Sequence, residues 1–327
     1  MNKTGFWVVL VGMLAIIIAV YSLLSAGQFD SADVSPATEV EHSDQGAGDT
    51  TDNLGMPTPV VEKIDQPAEN KVNVLLIILD DIGLDYFPGF LEDQNFVKAS
   101  MPRTEQLMAQ GHVFENLQVY PTCSPTRASL LTGRHAIETG VYDPGRTAYL
   151  DPQWQSLQQE IKNRSNQSVA TAVFGKWHLL GNNRDQLDHP SLFGIDHYEG
   201  MIEGNHDDYS NWTRTINGKQ DVVEGYSTTV LTDAAIDWIA NQDGQWFTWL
   251  AYTAPHSPIH LPPLELHSFD DLSGTDQDIR RNGDQYFMAM LESVDTEIGR
   301  LLDSFDQKTR DNTYICLLYT SPSPRDS

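Results

Sequence analysis

The chain has 327 residues, 40% of them hydrophobic, and a formal net charge of −26. That length and apolar content can bury at least one substantial core. The acidic surplus argues against nucleic acid or an anionic membrane surface as the main partner, because both are bound by basic patches, and two cysteines are too few for a disulfide scaffold.

Residues 1–27 read as an export segment. Lys3 precedes an uninterrupted apolar run from Phe6 to Leu24, and the small residues Ser25, Ala26 and Gly27 follow it. As a helix this run reaches roughly 28 Å, close to the ~30 Å hydrocarbon core of a bilayer. The segment is a signal peptide or a membrane anchor, and its length favours the anchor. In both cases the remaining chain is expected outside the cytoplasm, periplasmic, extracellular or held at the membrane through this segment. Residues 28–70 hold ten acidic residues against one lysine. They lack the apolar content to offset ordering entropy, so a disordered acidic linker is expected.

Folded structure is expected from residue 71. The run from Val72 to Leu79 is apolar apart from Asn73, which suits a strand buried on both faces of a parallel sheet. Asp80 and Asp81 follow at its carboxyl end, where open α/β sheets collect ligands and catalytic groups. Adjacent carboxylates repel one another, so this placement needs a cation or donors, unless it is an ordinary solvated turn.

The stretch CSPTRASLLTGR, from Cys123 to Arg134, reads as a short helix. Pro125 suits the first helical position, Ser124 can cap it and Gly133 can stop it. Cys123 then lies at the amino end, where unpaired N–H groups favour anions and lower a thiol's pKa. Arg127 adds a positive charge one turn inside. A lone cysteine can also simply fill core space; here the surroundings describe an anion site containing a nucleophile.

Trp154, Leu157 and Ile161 mark a helix by their spacing. A β-rich run from Ser168 to Phe174 delivers Lys176 and His178, two residues apart and so on one side of an extended chain. The segment EGNHDDYSNW, with His206 and Tyr209, reads as a solvated loop or as the lining of a sugar or aryl site. Sequons occur at Asn163, Asn166 and Asn211. A second helix covers Val230, Leu231, Ala234, Ala235, Trp238 and Ile239. The run from Trp246 to Tyr252 is a further strand, and it delivers His256 beside prolines that stop it. A long helix from about Asp284 to Phe305 carries a core stripe, and another strand starts at Thr313. Helices alternating with apolar strands predict an α/β fold with a doubly wound sheet.

The Cys-Ser-Pro-Thr-Arg core followed by Leu-Thr-Gly-Arg, with the strand-end motifs in the same order, resembles the formylglycine-dependent sulfatases of the alkaline phosphatase superfamily. The resemblance implies a mixed, mostly parallel sheet sandwiched by helices, with residues 71–315 as the catalytic domain. It implies that a maturation enzyme oxidises Cys123 to formylglycine, whose hydrate supplies the attacking hydroxyl. Asp80, Asp81 and the modified Cys123 would be calcium ligands. Arg127 would hold the hydrate, Lys176 would grip sulfate oxygens, His178 would take the second hydroxyl's proton, and His256 would help the ester oxygen depart. The implied reaction is hydrolysis of aryl or carbohydrate sulfate monoesters, including those of sulfated glycans. Phosphonate or phosphodiester hydrolysis by the same chemistry, and sulfated-glycan binding without cleavage, are the alternatives.

The family has Asp-Asn after a later strand, a second active-site lysine and a smaller carboxyl-terminal domain. The string from Cys316 to Asp326 instead matches one reading frame of a sequencing-library transposase adapter, so residues 316–327 are expected to be adapter read-through. The native protein is then expected to continue past Ile315, and the chain as written is expected to have little activity and an incomplete core.

Overall fold

The computed structural model describes residues 72–89, 98–114 and 117–320. The export segment, the acidic linker and residues 321–327 lie outside them. No helix among the described residues is long and apolar enough to cross a membrane.

Seven strands form one sheet: β1 Asn73–Asp80, β2 Ala170–Gly175, β3 His197–Gly200, β4 Asn211–Ile216, β5 Lys219–Glu224, β6 Trp246–Ala251 and β7 Thr313–Thr320. The spatial order is β5-β4-β3-β2-β6-β1-β7. Strands β7, β1, β6, β2 and β3 run parallel, and β4 and β5 add an antiparallel hairpin at one edge. This is the mixed, mostly parallel sheet predicted. The hairpin turns at Asn217 and Gly218, both at positive φ, as a two-residue turn with the strands' own twist requires.

The central strands are buried on both faces because helices cover both. On one face Leu75, Ile77 and Leu79 of β1 join Leu250 of β6 and the stripe of Met290, Leu291, Val294, Ile298 and Leu301. These last belong to the longest helix, Gly283–Asp303. On the other face Leu76 and Ile78 meet Val173, Trp249, Leu131 and Ile161. In chain order the helices are α1 Pro102–Gln110, α2 Cys123–Thr132, α3 Ala136–Thr139, α4 Leu157–Arg164, α5 Ser227–Ala240, α6 Asp276–Arg281, α7 Gly283–Asp303 and α8 Gln307–Asp311.

Strand β7 starts at Thr313 as expected and continues through Thr320, paired with β1 from Asn73↔Thr313 to Asp80↔Thr320. Residues 316–320 are therefore part of a buried strand, and the sheet's apolar packing extends four residues beyond Ile315, to Tyr319. Helix α4 begins three residues later than the Trp154 spacing indicates. Ser156 sets that start by accepting from the Gln159 amide in a capping box.

Candidate active site

The carboxyl ends of β1, β2 and β6 and the amino end of α2 meet at one point. Asp80 is the last residue of β1, and Asp81 turns the chain away at φ +59°. Helix α2 starts at Cys123 with Thr122 in the cap position and no side-chain cap bond. The expectation that Ser124 caps this helix is therefore corrected: its hydroxyl donates to the His178 carbonyl at 2.8 Å, tying α2 to the segment after β2. Gly133 stops the helix at φ +67°, with its N–H on the Ser129 carbonyl.

Strand β2 ends at Gly175, so Lys176 and His178 stand beyond it, and His178 is at φ +57°. The extended spacing expected for them is not what places them. Lys176 is buried and pairs with Asp80, with its Nζ also 3.5 Å from the Cys123 Sγ and 3.4 Å from the Asn205 Oδ1. Arg127, 1% exposed, donates from Nη1 to the Lys176 carbonyl at 2.8 Å and sets Nη2 3.5 Å from Asp80. The Thr320 hydroxyl gives Asp80 a further bond at 2.6 Å. Burial alone would raise the Asp80 carboxyl, but Lys176 and Arg127 hold it well below the usual range.

The Cys123 thiol differs from expectation. Burial first, and then Asp80, push it up, against the pull of Lys176 and Arg127. The helix end is outweighed because the thiol is enclosed beside a carboxylate.

His178 and His256 complete the group. The Nε2–H of His178 donates to the Pro144 carbonyl at 2.9 Å; a carbonyl only accepts, so Nδ1 carries the lone pair, and Nδ1 has no hydrogen-bond partner. Burial, then Lys176 and Arg127, lower this imidazole to about 3, so the ring is neutral at neutral pH. His256 donates from Nδ1 to the Ser257 carbonyl at 2.8 Å and sets Nε2 3.2 Å from the Asp81 carboxylate.

All seven residues singled out from the sequence thus converge. Asp80, Cys123 and His256 bring one ligand atom each within 4.8 Å of one another. Asp80 offers the hard oxygen donor that calcium needs, and an oxygen on Cys123 would add a second; the Asp81 carboxylate lies next to this group, 3.2 Å from the His256 Nε2. Arg127 makes no hydrogen bond from Nε or Nη2, its Nη2 having only the longer ion pair to Asp80, so an anion can take up those donors.

Sequence reasoning missed three contributors. Pro144 orients His178 through its carbonyl. A Cβ at Gly204 would lie 2.4 Å from the His178 Nε2, so the backbone there is pressed against that ring. Asn205 meets Lys176. The solvated-loop reading of this segment is corrected at two positions, since His206 and Tyr209 are 4% and 2% exposed. The density of His, Tyr and Trp in the segment was the available signal, because a fully solvated loop has no use for it.

Fold and site together define an α/β protein that gathers a buried thiol, a lysine, an arginine, two histidines and two carboxylates at the carboxyl edge of its parallel strands. The family model described as Sulfatase matches residues 72–321, and the chain belongs to the sulfatase family. Among relatives, it is 28% identical over 281 residues to the N-acetylgalactosamine-6-sulfatase of Homo sapiens, covering 76% of this chain and 49% of that protein. It is 30% identical over 189 residues to the N-acetylglucosamine-6-O-sulfatase of Bacteroides thetaiotaomicron, covering 53% and 31%. The solved structure of Ps i-CgsB superposes with a TM-score of 0.62 at 24% identity, over 76% of this chain and 58% of that one. A protein solved in complex with its substrate D-glucosamine-2-N,6-O-disulfate superposes at 0.56 with 20% identity, over 75% and 64%. The chain spans about half the length of the human relative it matches.

Proposed function

We propose that the full protein hydrolyses sulfate monoesters of carbohydrates, with Cys123 as the precursor of its nucleophile. One observation carries this reading: the buried Arg127, whose Nε has no hydrogen-bond partner and whose Nη2 has only the 3.5 Å ion pair to Asp80, and the buried Lys176, whose Nζ is 3.5 Å from the Cys123 Sγ, meet at one point. An anionic tetrahedral group brought there meets buried positive charge, where such contacts are strongest. The names of the relatives, sulfatases of 6-sulfated amino sugars, support a sugar sulfate as the substrate class.

Matured to formylglycine, Cys123 would supply the attacking hydroxyl as its hydrate, and Asp80 and Asp81 would hold a calcium ion adding positive charge. Lys176 and Arg127 hold sulfate oxygens and neutralise charge on the transferring group. His178 accepts a proton at Nδ1, the nitrogen left free by its bond to Pro144. His256 gives up a proton from Nε2 to the ester oxygen as the alcohol leaves. The apolar run near the amino terminus supports export.

Turnover of N-acetylglucosamine 6-sulfate set against an aryl phosphodiester tests the reading. Preferential sulfate release supports it, and preferential phosphodiester cleavage replaces it with phosphohydrolase chemistry. If Cys123 is still a thiol in the secreted protein, a sulfated-glycan-binding role takes its place.

A further inference from the structure

Three consecutive residues outside the site's ion pairs run along its wall. The Gly204 backbone packs under the His178 ring, Asn205 touches Lys176, and His206 follows. His206 is 96% buried, yet neither ring nitrogen has a hydrogen-bond partner.

Its surroundings make that omission specific. The ring packs against Tyr209 at 4.7 Å and Trp212 at 5.1 Å between centroids. Each of the other polar tips in this aromatic cluster is satisfied. The Tyr209 hydroxyl donates to the His256 carbonyl, and the Trp212 Nε1 donates to the Gly225 carbonyl. Tyr226 meets Ser293, and His260 meets Tyr226 and the Pro258 carbonyl. A buried polar atom without a partner is costly, and unpaired buried groups gather where a ligand completes them. Geometry ties His206 to both ends of the site: the preceding residue, Asn205, meets Lys176 at 3.4 Å, and Tyr209, against which the ring packs, donates its hydroxyl to the His256 carbonyl.

We propose that His206 is a specificity residue that hydrogen-bonds a hydroxyl of the sugar carrying the sulfate ester. The inference rests on the sugar-sulfatase reading above and deepens it. A neutral imidazole offers one N–H and one lone pair on opposite ring edges. A sulfate oxygen can only accept, so it can answer only the N–H; a hydroxyl can answer either nitrogen. Sulfate already has Lys176 and Arg127. The side chain left to read the alcohol portion beside them is His206, and its neighbour Asn205, exposed and bonded to Lys176 at 3.4 Å, is the group a sugar entering there would displace.

The test compares N-acetylglucosamine 6-sulfate with inorganic sulfate, by calorimetry, in chains carrying Cys123→Ser so that nothing is turned over. His206→Phe keeps the ring's bulk and removes its nitrogens. It is expected to weaken binding of the sugar sulfate about tenfold, the worth of one hydrogen bond of about 1.4 kcal/mol, and to change sulfate binding less than about twofold; His206→Asn should recover part of the loss. A nitrogen-15 spectrum of the imidazoles with His206 unmutated checks the same point without relying on the variant's folding: the His206 resonances should move with the sugar sulfate and not with sulfate alone. Equal losses for both probes, or none for either, or unmoved His206 resonances in the presence of bound sugar, overturn this inference and leave the sulfatase reading standing. If the chain with His206 intact binds sulfate but not the sugar sulfate, the sugar-sulfatase reading itself fails, and this inference with it.

Discussion

Lys176 joins two strand ends: from just beyond β2 it pairs with Asp80 at the tip of β1, while its Nζ lies 3.5 Å from the Cys123 Sγ. Both partners are fully buried. Lys176→Met should leave Asp80 with only the longer contact to Arg127 and the Thr320 hydroxyl. Removing one member of a buried pair costs about 3–5 kcal/mol, so urea unfolding at pH 7 should show a loss of that order. The double change Lys176→Met with Asp80→Asn should recover much of it. Because the fold holds Asp80 below its ordinary value, its contribution is present above the unfolded carboxylate pKa and is lost as pH falls below it. The difference between parent and Lys176→Met should therefore shrink in acid.

Gly204 lies against the His178 imidazole, the proposed proton acceptor, rather than in a turn that demands glycine. In Gly204→Ala the new Cβ would lie 2.4 Å from the His178 Nε2, so the ring must leave its bond to Pro144. Misplacement of a proton acceptor by about 1 Å costs on the order of 100-fold in rate. In the full, matured protein, kcat for a sugar sulfate should fall by about that factor while the thermal midpoint moves little. Unchanged kcat would show that His178 does not act from this position.

Helix α1 is capped from outside. No side chain bonds at its Met101 cap position. Instead Asp295 of α7 accepts from the Arg103 amide at 2.9 Å, the Thr104 amide at 2.8 Å and the Thr104 hydroxyl at 2.6 Å. Asp295→Ala should strip three donors at once and destabilise the protein by roughly 2–4 kcal/mol. Asp295→Asn, which keeps one acceptor, should cost less; denaturant midpoints check the order.

His189 makes stability sensitive to acid at a place away from the site. It accepts from the Trp177 Nε1 at 3.0 Å and donates from Nε2 to the Leu150 carbonyl at 2.9 Å, a neutral ring with both nitrogens in use. Burial lowers it to about 4 from 6.5, so the unfolded chain takes up its proton first. Stability should therefore decline as pH falls from 6.5 towards 4 and gain no further loss from this group below that. His189→Gln, which can accept and donate but does not titrate, should flatten the decline by up to roughly 3 kcal/mol. An identical slope in the variant would assign the acid sensitivity elsewhere.

The parts of this architecture carried by local pattern were legible in the sequence. The apolar runs gave β1 and β6 almost to the residue, and the stripe gave α7, because burial on both faces or on one stripe leaves a periodic trace. Five of the seven site residues stood out because strand ends deliver them, and Cys123 and Arg127 because a short helix starts there. What escaped depends on contacts far apart in the chain. Thr122, not Ser124, holds the cap position of α2 because the Ser124 hydroxyl is taken by His178. The thiol's direction depends on enclosure beside Asp80, which no spacing reveals. Gly204, Asn205 and His206 look solvated among acidic neighbours until the end of β2 is placed against them. The β4–β5 hairpin carried its own signal, Asn217-Gly218 between two alternating segments.

The central claim is that a group made from Cys123 attacks the sulfur of a sugar sulfate. Release of inorganic sulfate from N-acetylglucosamine 6-sulfate by the full, matured protein, measured beside its Cys123→Ala variant, tests it most directly. The account predicts release by the first and a loss of at least about a thousandfold in the second; equal release by both would contradict it.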